Sequence, residues 1–338
     1  MKKLLFASLF FIFLTALILT SFTWLILCKS NSSDSGAVVY IKDNLTIDNL
    51  INVLNTNSAI KDDYSFKIAS YIWKLDGKIK PGRYRIKPGT NNKQLVKLFL
   101  LGLQEPHNLI LTGNIRTMEK LAAIISTKIE ADSIDVYNIL TDSLLIDSLG
   151  FDKYTFPSMF ILNTYQIYWT TKPKKLILRL NQEYHKFWNQ ERVTKAKAIG
   201  LDPIEVTTLA SIVAEESNLK NEHKIIAGVY MNRIKRGMPL QADPTIKYAL
   251  NDPAIKRILY KHLTINSPYN TYKKTGLPPG PIILTNESLI DAVLNYSKHN
   301  YLYFCANSSL DGSHNFSTTL TQHNRNARAY QAAISKLR

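Results

Sequence analysis

The sequence offers little that could hold it together or activate chemistry by covalent or metal means. Cys28 and Cys305 are its two cysteines, too few for a disulfide framework and without the paired spacing of a zinc site, so neither is read as functional. None of the seven histidines falls in a metalloprotease motif, and no P-loop, dinucleotide fingerprint or nucleophile elbow is present. No metal and no cofactor is therefore expected. Acidic residues are scarce, 26 against 42 Lys and Arg, which gives a formal charge of +16. That surplus invites a nucleic-acid partner, but the basic residues are scattered among Ile, Asn and Tyr and form no RRM, helix-turn-helix or finger pattern. An anionic polymer or a membrane surface accounts for the charge as well.

What is present begins with an uncharged run from Leu4 to Cys28 behind Lys2 and Lys3. At about 1.5 Å per residue it can cross a hydrocarbon core of about 30 Å. A cleaved signal peptide has a shorter apolar region ending in small residues, whereas this run continues into Trp24-Leu25-Ile26-Leu27, and a lipoprotein site at Cys28 would need a small residue where Leu27 stands. We read residues 1–3 as a cytoplasmic tail and 4–28 as an uncleaved transmembrane signal anchor, with the bulk of the chain outside the cytoplasm. Residues 29–36, Lys-Ser-Asn-Ser-Ser-Asp-Ser-Gly, have the composition of a flexible linker.

Beyond the linker, strands are expected at 37–42 and 82–87, and helices at 46–55, 62–75 and 92–101. A strand at 108–113 and helices at 116–128 and 132–142 follow. The C-terminal part reads as helix (286–297), strand (301–306), a turn at Asp311-Gly312, strand (314–317) and helix (319–336). His314 and His323 have no partner pattern that suggests a metal. The aromatic residues Tyr165, Tyr168, Trp169, Phe187 and Trp188 suit either sugar stacking or a core.

The most informative helix opens at Asp202-Pro203, with Asp as N-cap, Pro at the first helical position and Glu205 closing a capping box. Val206, Leu209, Ala210, Ile212 and Val213 then make one apolar stripe, with Glu216 within it and Glu215 turned away. A carboxyl held against apolar side chains tends to stay protonated and can act as a general acid; if the helix ends at Glu216, the side chain is simply solvated. Periodicity leaves both open. A following helix through Ile226, Val229, Tyr230 and Ile234 stops at Gly237. Asp243 precedes Pro244, as Asp202 and Asp252 precede Pro203 and Pro253, so an N-cap role is favoured over sugar contact.

Several spaced motifs carry a resemblance. Ala210-Ser211-Ile212-Val213-Ala214-Glu215-Glu216-Ser217, AGVYMNRIKRGMPLQADPTIKYAL (227–250), SPYNTY (267–272) and GLPPGPI (276–282) resemble the YceG-like (MltG) endolytic lytic transglycosylases from about residue 38 to the C-terminus. The family pattern A-S-I-[IV]-E-x-E-[TS] has its catalytic Glu at the position of Glu216. Its first Glu is Ala214 here, so no role is carried to that position, and Glu215 falls where polar residues vary and is read as surface. Leu162, in Phe156 to Tyr165, stands where the family has Pro. Lys80-Pro81-Gly82-Arg83-Tyr84 is similar to the family's K-x-G-x-Y signature of a LysM-like module, which implies either glycan positioning or a packing platform.

The resemblance implies an α+β fold with an N-terminal transmembrane helix, a small LysM-like α/β module (37–104) and a larger YceG-like catalytic domain (105–338) with the acid on a helix. It implies a lyase, a membrane-anchored endolytic peptidoglycan transglycosylase. Glu216 would protonate the glycosidic oxygen between N-acetylmuramic acid and N-acetylglucosamine and then take the proton of the muramyl C6 hydroxyl as a 1,6-anhydro ring closes, limiting strand elongation. Candidate substrate-binding residues are Ser217, Asn232, Gln241, Asp243, Tyr269, Asn270, Thr271 and Tyr272. Expected partners are glycan strands, a bacterial cytoplasmic membrane crossed once, and peptidoglycan polymerases. A non-catalytic peptidoglycan-binding protein is the alternative, and a hydrolytic muramidase, with Asp243 as second carboxylate, the third reading. Expressed with its own N-terminus, the protein is expected to stay in the membrane fraction; a soluble mature form starting near Ser30 would refute the anchor.

Overall fold

The computed structural model describes residues 2–252, 254–255 and 257–336. The chain divides into two compact units, one made of residues up to Leu109 with Lys128–Glu130 and Gln166–Thr171, the other of Ile110–Thr127, Ala131–Tyr165 and the chain from Lys172. Helices joined by short two-stranded sheets make an α+β fold.

The first unit begins with helix Lys2–Leu27, in which Phe6–Leu27 is long and apolar enough, at a mean hydropathy of 2.3, to cross a membrane. The hydroxyls of Thr15, Thr20 and Thr23 donate to carbonyls three or four residues earlier, so these polar groups are paired within the helix itself. The stretch expected as a flexible linker is pinned instead. Asn31 and Ser32 are buried; Asn31 Nδ2 donates to the Asp62 carbonyl at 2.8 Å and to Asn92 Oδ1 at 2.7 Å, and Asn92 Nδ2 donates to the Ile26 carbonyl at 2.7 Å. Composition missed this because its partners lie some 30 and 60 residues away.

Strands Ala37–Ile41 and Gly82–Ile86 pair antiparallel with Val39 opposite Tyr84. Their alternation turns Val39, Ile41, Tyr84 and Ile86 inward, and helices Ile47–Thr56, Asp63–Ile72 and Asn92–Leu101 lay Leu50, Leu54, Phe66, Leu95 and Phe99 into the same core. The Lys80 to Tyr84 motif is accounted for by packing. The Tyr84 hydroxyl donates to the Lys80 carbonyl at 2.8 Å, its ring meets Phe99 edge-on at 5.1 Å, and burial pushes its pKa up to about 12. A Cβ at position 82 would press on that ring at 3.1 Å.

In the second unit helix Pro203–Glu216 starts as expected, with Asp202 accepting from the Glu205 N–H and Glu205 from the Asp202 N–H. Its surroundings differ from the single-stripe expectation: every residue from Val206 to Val213 is buried, Thr207, Thr208 and Ser211 included. A helix covered on all sides must pair its hydroxyls. Thr207 and Thr208 donate to the carbonyls of Pro203 and Ile204, each at 2.8 Å, and Ser211 donates to Thr208 while its Oγ accepts from the Ile282 N–H at 3.0 Å. The GLPPGPI segment is thus docked on the helix. Helices Gln190–Ala198, Lys220–Lys235, Asp243–Leu250 and Glu287–Leu294 supply the rest of the cover.

Helices Ser143–Ser148, Pro173–Phe187 and Gln190–Ala198 fall where no element was expected, although Leu176, Ile177, Leu180 and Tyr184 do form a helical stripe, buried here. The Asp252-Pro253 helix start involves Pro253, which lies outside the described residues. Strands Tyr303–Ala306 and His314–Ser317 form an antiparallel pair, followed by helix Leu320–Ser335.

Gly228, inside helix Lys220–Lys235, allows a test of this packing. Alanine there would ordinarily gain about 1 kcal/mol of helix propensity, but its Cβ would overlap the Ser297 carbonyl oxygen and meet His299 Nε2 at 2.6 Å. Overpacking against backbone costs about 1–3 kcal/mol, so the clash wins. Gly228→Ala is expected to lower the thermal midpoint by a few degrees; a raised midpoint would show that this packing yields freely.

Candidate active site

Glu216 is the last residue of its helix, and Ser217 adopts extended backbone as the C-cap. The side chain is partly buried at a cleft of about 380 Å³ whose walls include Tyr230, Arg233, Gln241, Asp243, Tyr272, Phe304 and His314. From helix Lys220–Lys235 the buried Tyr230 donates its hydroxyl to Glu216 Oε1 at 2.6 Å. Burial is the main influence on the carboxyl; with help from nearby Asp243 and Glu215 it outweighs the Tyr230 bond and the Arg233 charge, and raises the Glu216 pKa to about 7. Burial and the same bond push the Tyr230 hydroxyl far up, so the tyrosine remains a donor. A carboxyl that is partly protonated at neutral pH and opens on a cleft can give and take a proton.

Arg233 explains how the cleft wall is held. The guanidinium donates to the carbonyls of Leu302 at 2.7 Å and Leu240 at 2.8 Å, reaches Gln241 Oε1 at 3.3 Å, and lies over the Tyr303 ring. Its charge is thereby spent on fastening the 239–241 loop and the 302 segment to the helix. Gln241 stands at φ 54°, a left-handed conformation uncommon for a side-chain-bearing residue.

Four of the residues expected from sequence come together on the cleft: Glu216, Gln241, Asp243 and Tyr272. Five do not line it, because their polar groups are used inside the fold. Ser217 donates to Glu222 Oε2 at 2.9 Å. Asn232 donates to the His299 and Tyr301 carbonyls, and Asn270 to those of Leu263 and Ile265. Thr271 Oγ1 accepts from the Ala242 N–H and pairs with Thr245, and Tyr269 is buried against Tyr248 and Tyr154.

Two further expectations are corrected. Asp243 is not an N-cap. Ala242 holds that position, and the Asp243 carboxylate accepts the Tyr272 hydroxyl at 2.5 Å, because the loop before it is tied to Thr271 and the helix starts one residue earlier, at Asp243 itself. Glu215 is not a free surface residue: it pairs with Arg116 and keeps 17% of its side chain exposed. That partner lies 99 residues earlier, beyond any helical periodicity. Sequence reasoning gave no site role to Tyr230, Arg233, Glu222 or His314. Tyr230 and Arg233 stand in the quoted 227–250 motif and could have been found there; the Glu222 to His314 pairing had no local signal.

Among the described residues no group of His, Cys, Asp and Glu could hold a metal.

The chain is similar to known proteins along most of its length. The YceG-like family model matches residues 39–329. The endolytic murein transglycosylase of Bacillus subtilis (strain 168) is 29% identical over 313 residues, covering 86% of this chain and 84% of its own. That of Streptococcus pneumoniae serotype 2 (strain D39) is 31% identical over 204 residues, 58% of this chain and 36% of its own. A crystal structure of a YceG-like protein from Listeria monocytogenes, 26% identical, superposes with a TM-score of 0.57 over 87% of this chain and 99% of that one.

The raised pKa of Glu216 also predicts how stability depends on pH. An unfolded Glu ionises near its ordinary 4.5, whereas the folded group holds its proton to about 7. Below both values nothing is lost; as pH rises between them the fold loses stability, by on the order of 3 kcal/mol at completion. Glu216→Gln removes this titration. Its thermal midpoint is expected to exceed that of the wild type at pH 8 and to approach it at pH 4.5. A difference independent of pH would place the carboxyl in solvent.

Proposed function

The chain belongs to the YceG-like family, and from that premise we propose that it is a membrane-anchored endolytic peptidoglycan transglycosylase, a lyase in which Glu216 is the catalytic acid. The observation that carries the proposal is the Glu216 carboxyl itself, enclosed at the end of a buried helix, bonded to Tyr230 and protonated up to about pH 7 beside an open cleft.

In this reading an uncross-linked glycan strand lies in the cleft with the bond between N-acetylmuramic acid and N-acetylglucosamine at Glu216. Tyr230 occupies Oε1, so the acidic proton is carried toward the glycosidic oxygen from Oε2. As that proton transfers, the bond from C1 to the leaving oxygen breaks and positive charge develops at the muramyl C1. The muramyl C6 hydroxyl closes on C1 to form the 1,6-anhydro ring, and its proton returns to the Glu216 carboxylate. Protons balance, no water is consumed, and the acid is restored. Helix Lys2–Leu27 would hold the enzyme by a single span, with the cleft on the extracytoplasmic side of a bacterial cytoplasmic membrane where strands are polymerised.

One observation favours a second reading. Asp243 is another carboxylate on the cleft, near enough to raise the Glu216 pKa, and a hydrolytic muramidase needs such a base. Products separate the two. Wild-type protein acting on uncross-linked strands is expected to release fragments ending in 1,6-anhydromuramic acid, lighter by one water than hydrolytic products in mass spectrometry. Rates should fall as pH rises through about 7, and Glu216→Gln should lose about 10²–10⁴ in rate. Reducing-end products would identify a muramidase, full activity of Glu216→Gln would move the acid elsewhere, and binding without cleavage would identify a binding protein.

A further inference from the structure

His314, on the cleft wall, is paired with the buried carboxylate of Glu222, and the proposed chemistry leaves the pair unused. Glu222, in the first turn of helix Lys220–Lys235, is buried, and both of its oxygens are occupied. Oε1 accepts from the His314 N–H at 2.8 Å; Oε2 accepts from the Ser217 hydroxyl at 2.9 Å and lies 2.7 Å from His314 Nδ1. Burial opposes the charge, yet the bonds from His314 and Ser217 outweigh it and hold the carboxyl below its usual range.

An ionised carboxylate only accepts, so a ring proton sits on Nδ1, and Nε2 is the ring nitrogen left for the cleft. His314 lines the cleft together with Glu216, its ring set edge-on to Phe304. Among the described residues Nε2 has no hydrogen-bond partner, and unlike Nδ1 of His107 and of His323 it is not a buried unpaired atom. Of the donors that line the same cleft, the Tyr230 and Tyr272 hydroxyls bond Glu216 and Asp243, and the Arg233 guanidinium bonds carbonyls. A ring nitrogen held in place by Glu222 thus has no hydrogen-bond partner among the described residues.

We infer that His314 Nε2 accepts a hydrogen bond from a hydroxyl of the bound glycan, and that Glu222 is a positioning residue that fixes the ring and its tautomer for this purpose. The inference rests on the proposed function for its ligand class. It adds a saccharide contact from the C-terminal strand pair. The ring is preorganised, so binding need not order it.

Two variants of the full chain in detergent, acting on uncross-linked strands, test this. His314→Asn keeps a donor at the Nδ1 position and the backbone bond to Glu222 but removes Nε2. One neutral hydrogen bond corresponds to about a 2- to 10-fold loss in kcat/KM. In Glu222→Gln the His314 N–H holds the amide oxygen at the Oε1 position, which turns the NH₂ toward Nδ1 and moves the ring proton to Nε2. It should lose as much as His314→Asn although it touches no substrate, and the double variant should lose no more. ¹⁵N spectra of the histidine rings read the tautomer directly. The His314 Nε2 is expected unprotonated in the wild type and protonated in Glu222→Gln, and its resonance should shift when strands are added to the Glu216→Gln protein. An Nε2 that is protonated in the wild type or indifferent to strands overturns the inference, whether or not either variant folds. Wild-type kcat/KM for His314→Asn beside an inactive Glu216→Gln overturns this inference alone, whereas full activity of Glu216→Gln overturns the proposed function.

Discussion

The Tyr230 hydroxyl meets Glu216 Oε1 at 2.6 Å at the point where a helix with no exposed face from Val206 to Val213 runs out into a cleft. That bond is possible only because helix Lys220–Lys235 packs against the first one and brings a buried tyrosine to its end. Removing water from the pair has two effects. It disfavours the carboxylate, which raises the acid's pKa, and it strengthens a hydrogen bond that would be weak in solvent. Burial prevails over the bond's opposing effect, so the carboxyl stays near neutrality in both protonation and pH.

Much of the polar sequence near the cleft supports this arrangement from behind. Ser211 holds the 276–282 segment through the Ile282 N–H, Arg233 draws in the carbonyls of Leu240 and Leu302, and Asn232 and Asn270 each tie down two carbonyls. A loop that approaches a buried helix must pair its backbone groups with something, and amide and guanidinium side chains do so here. Residue types suited to holding a saccharide are equally suited to holding a loop, which is why five of the candidate binding residues prove to be internal ties.

Glu215 and Glu216 show how neighbouring carboxyls acquire different fates. Arg116 takes Glu215 into an ion pair, which spends its charge, while Glu216 has no cation of its own and receives a neutral donor. Two adjacent carboxylates in solvent would titrate alike. Here one is held in an ion pair and the other is left able to exchange a proton. Glu222 is a third case, buried deeply but satisfied by three donors, and so ionised.

What the sequence determined by itself is local. The capping box at Asp202 and Glu205 and the alternation of Val39, Ile41, Tyr84 and Ile86 each depend on residues within a few positions of one another, so the elements they start or line are readable from pattern. The apolar character of the N-terminal helix is readable for the same reason. The family motifs located Glu216, Gln241, Asp243 and Tyr272 because their spacing is carried along one stretch of chain. Tertiary structure alone decided whether Glu216 is solvated or enclosed, since the cover comes from helices before and after it in sequence. It alone assigned Asp243 to Tyr272, Glu215 to Arg116 and Glu222 to His314, and it pinned Asn31 where composition suggested a linker. In each case the deciding partner is a hydrogen-bond donor or acceptor tens of residues away, and neither helical nor strand periodicity reaches that far.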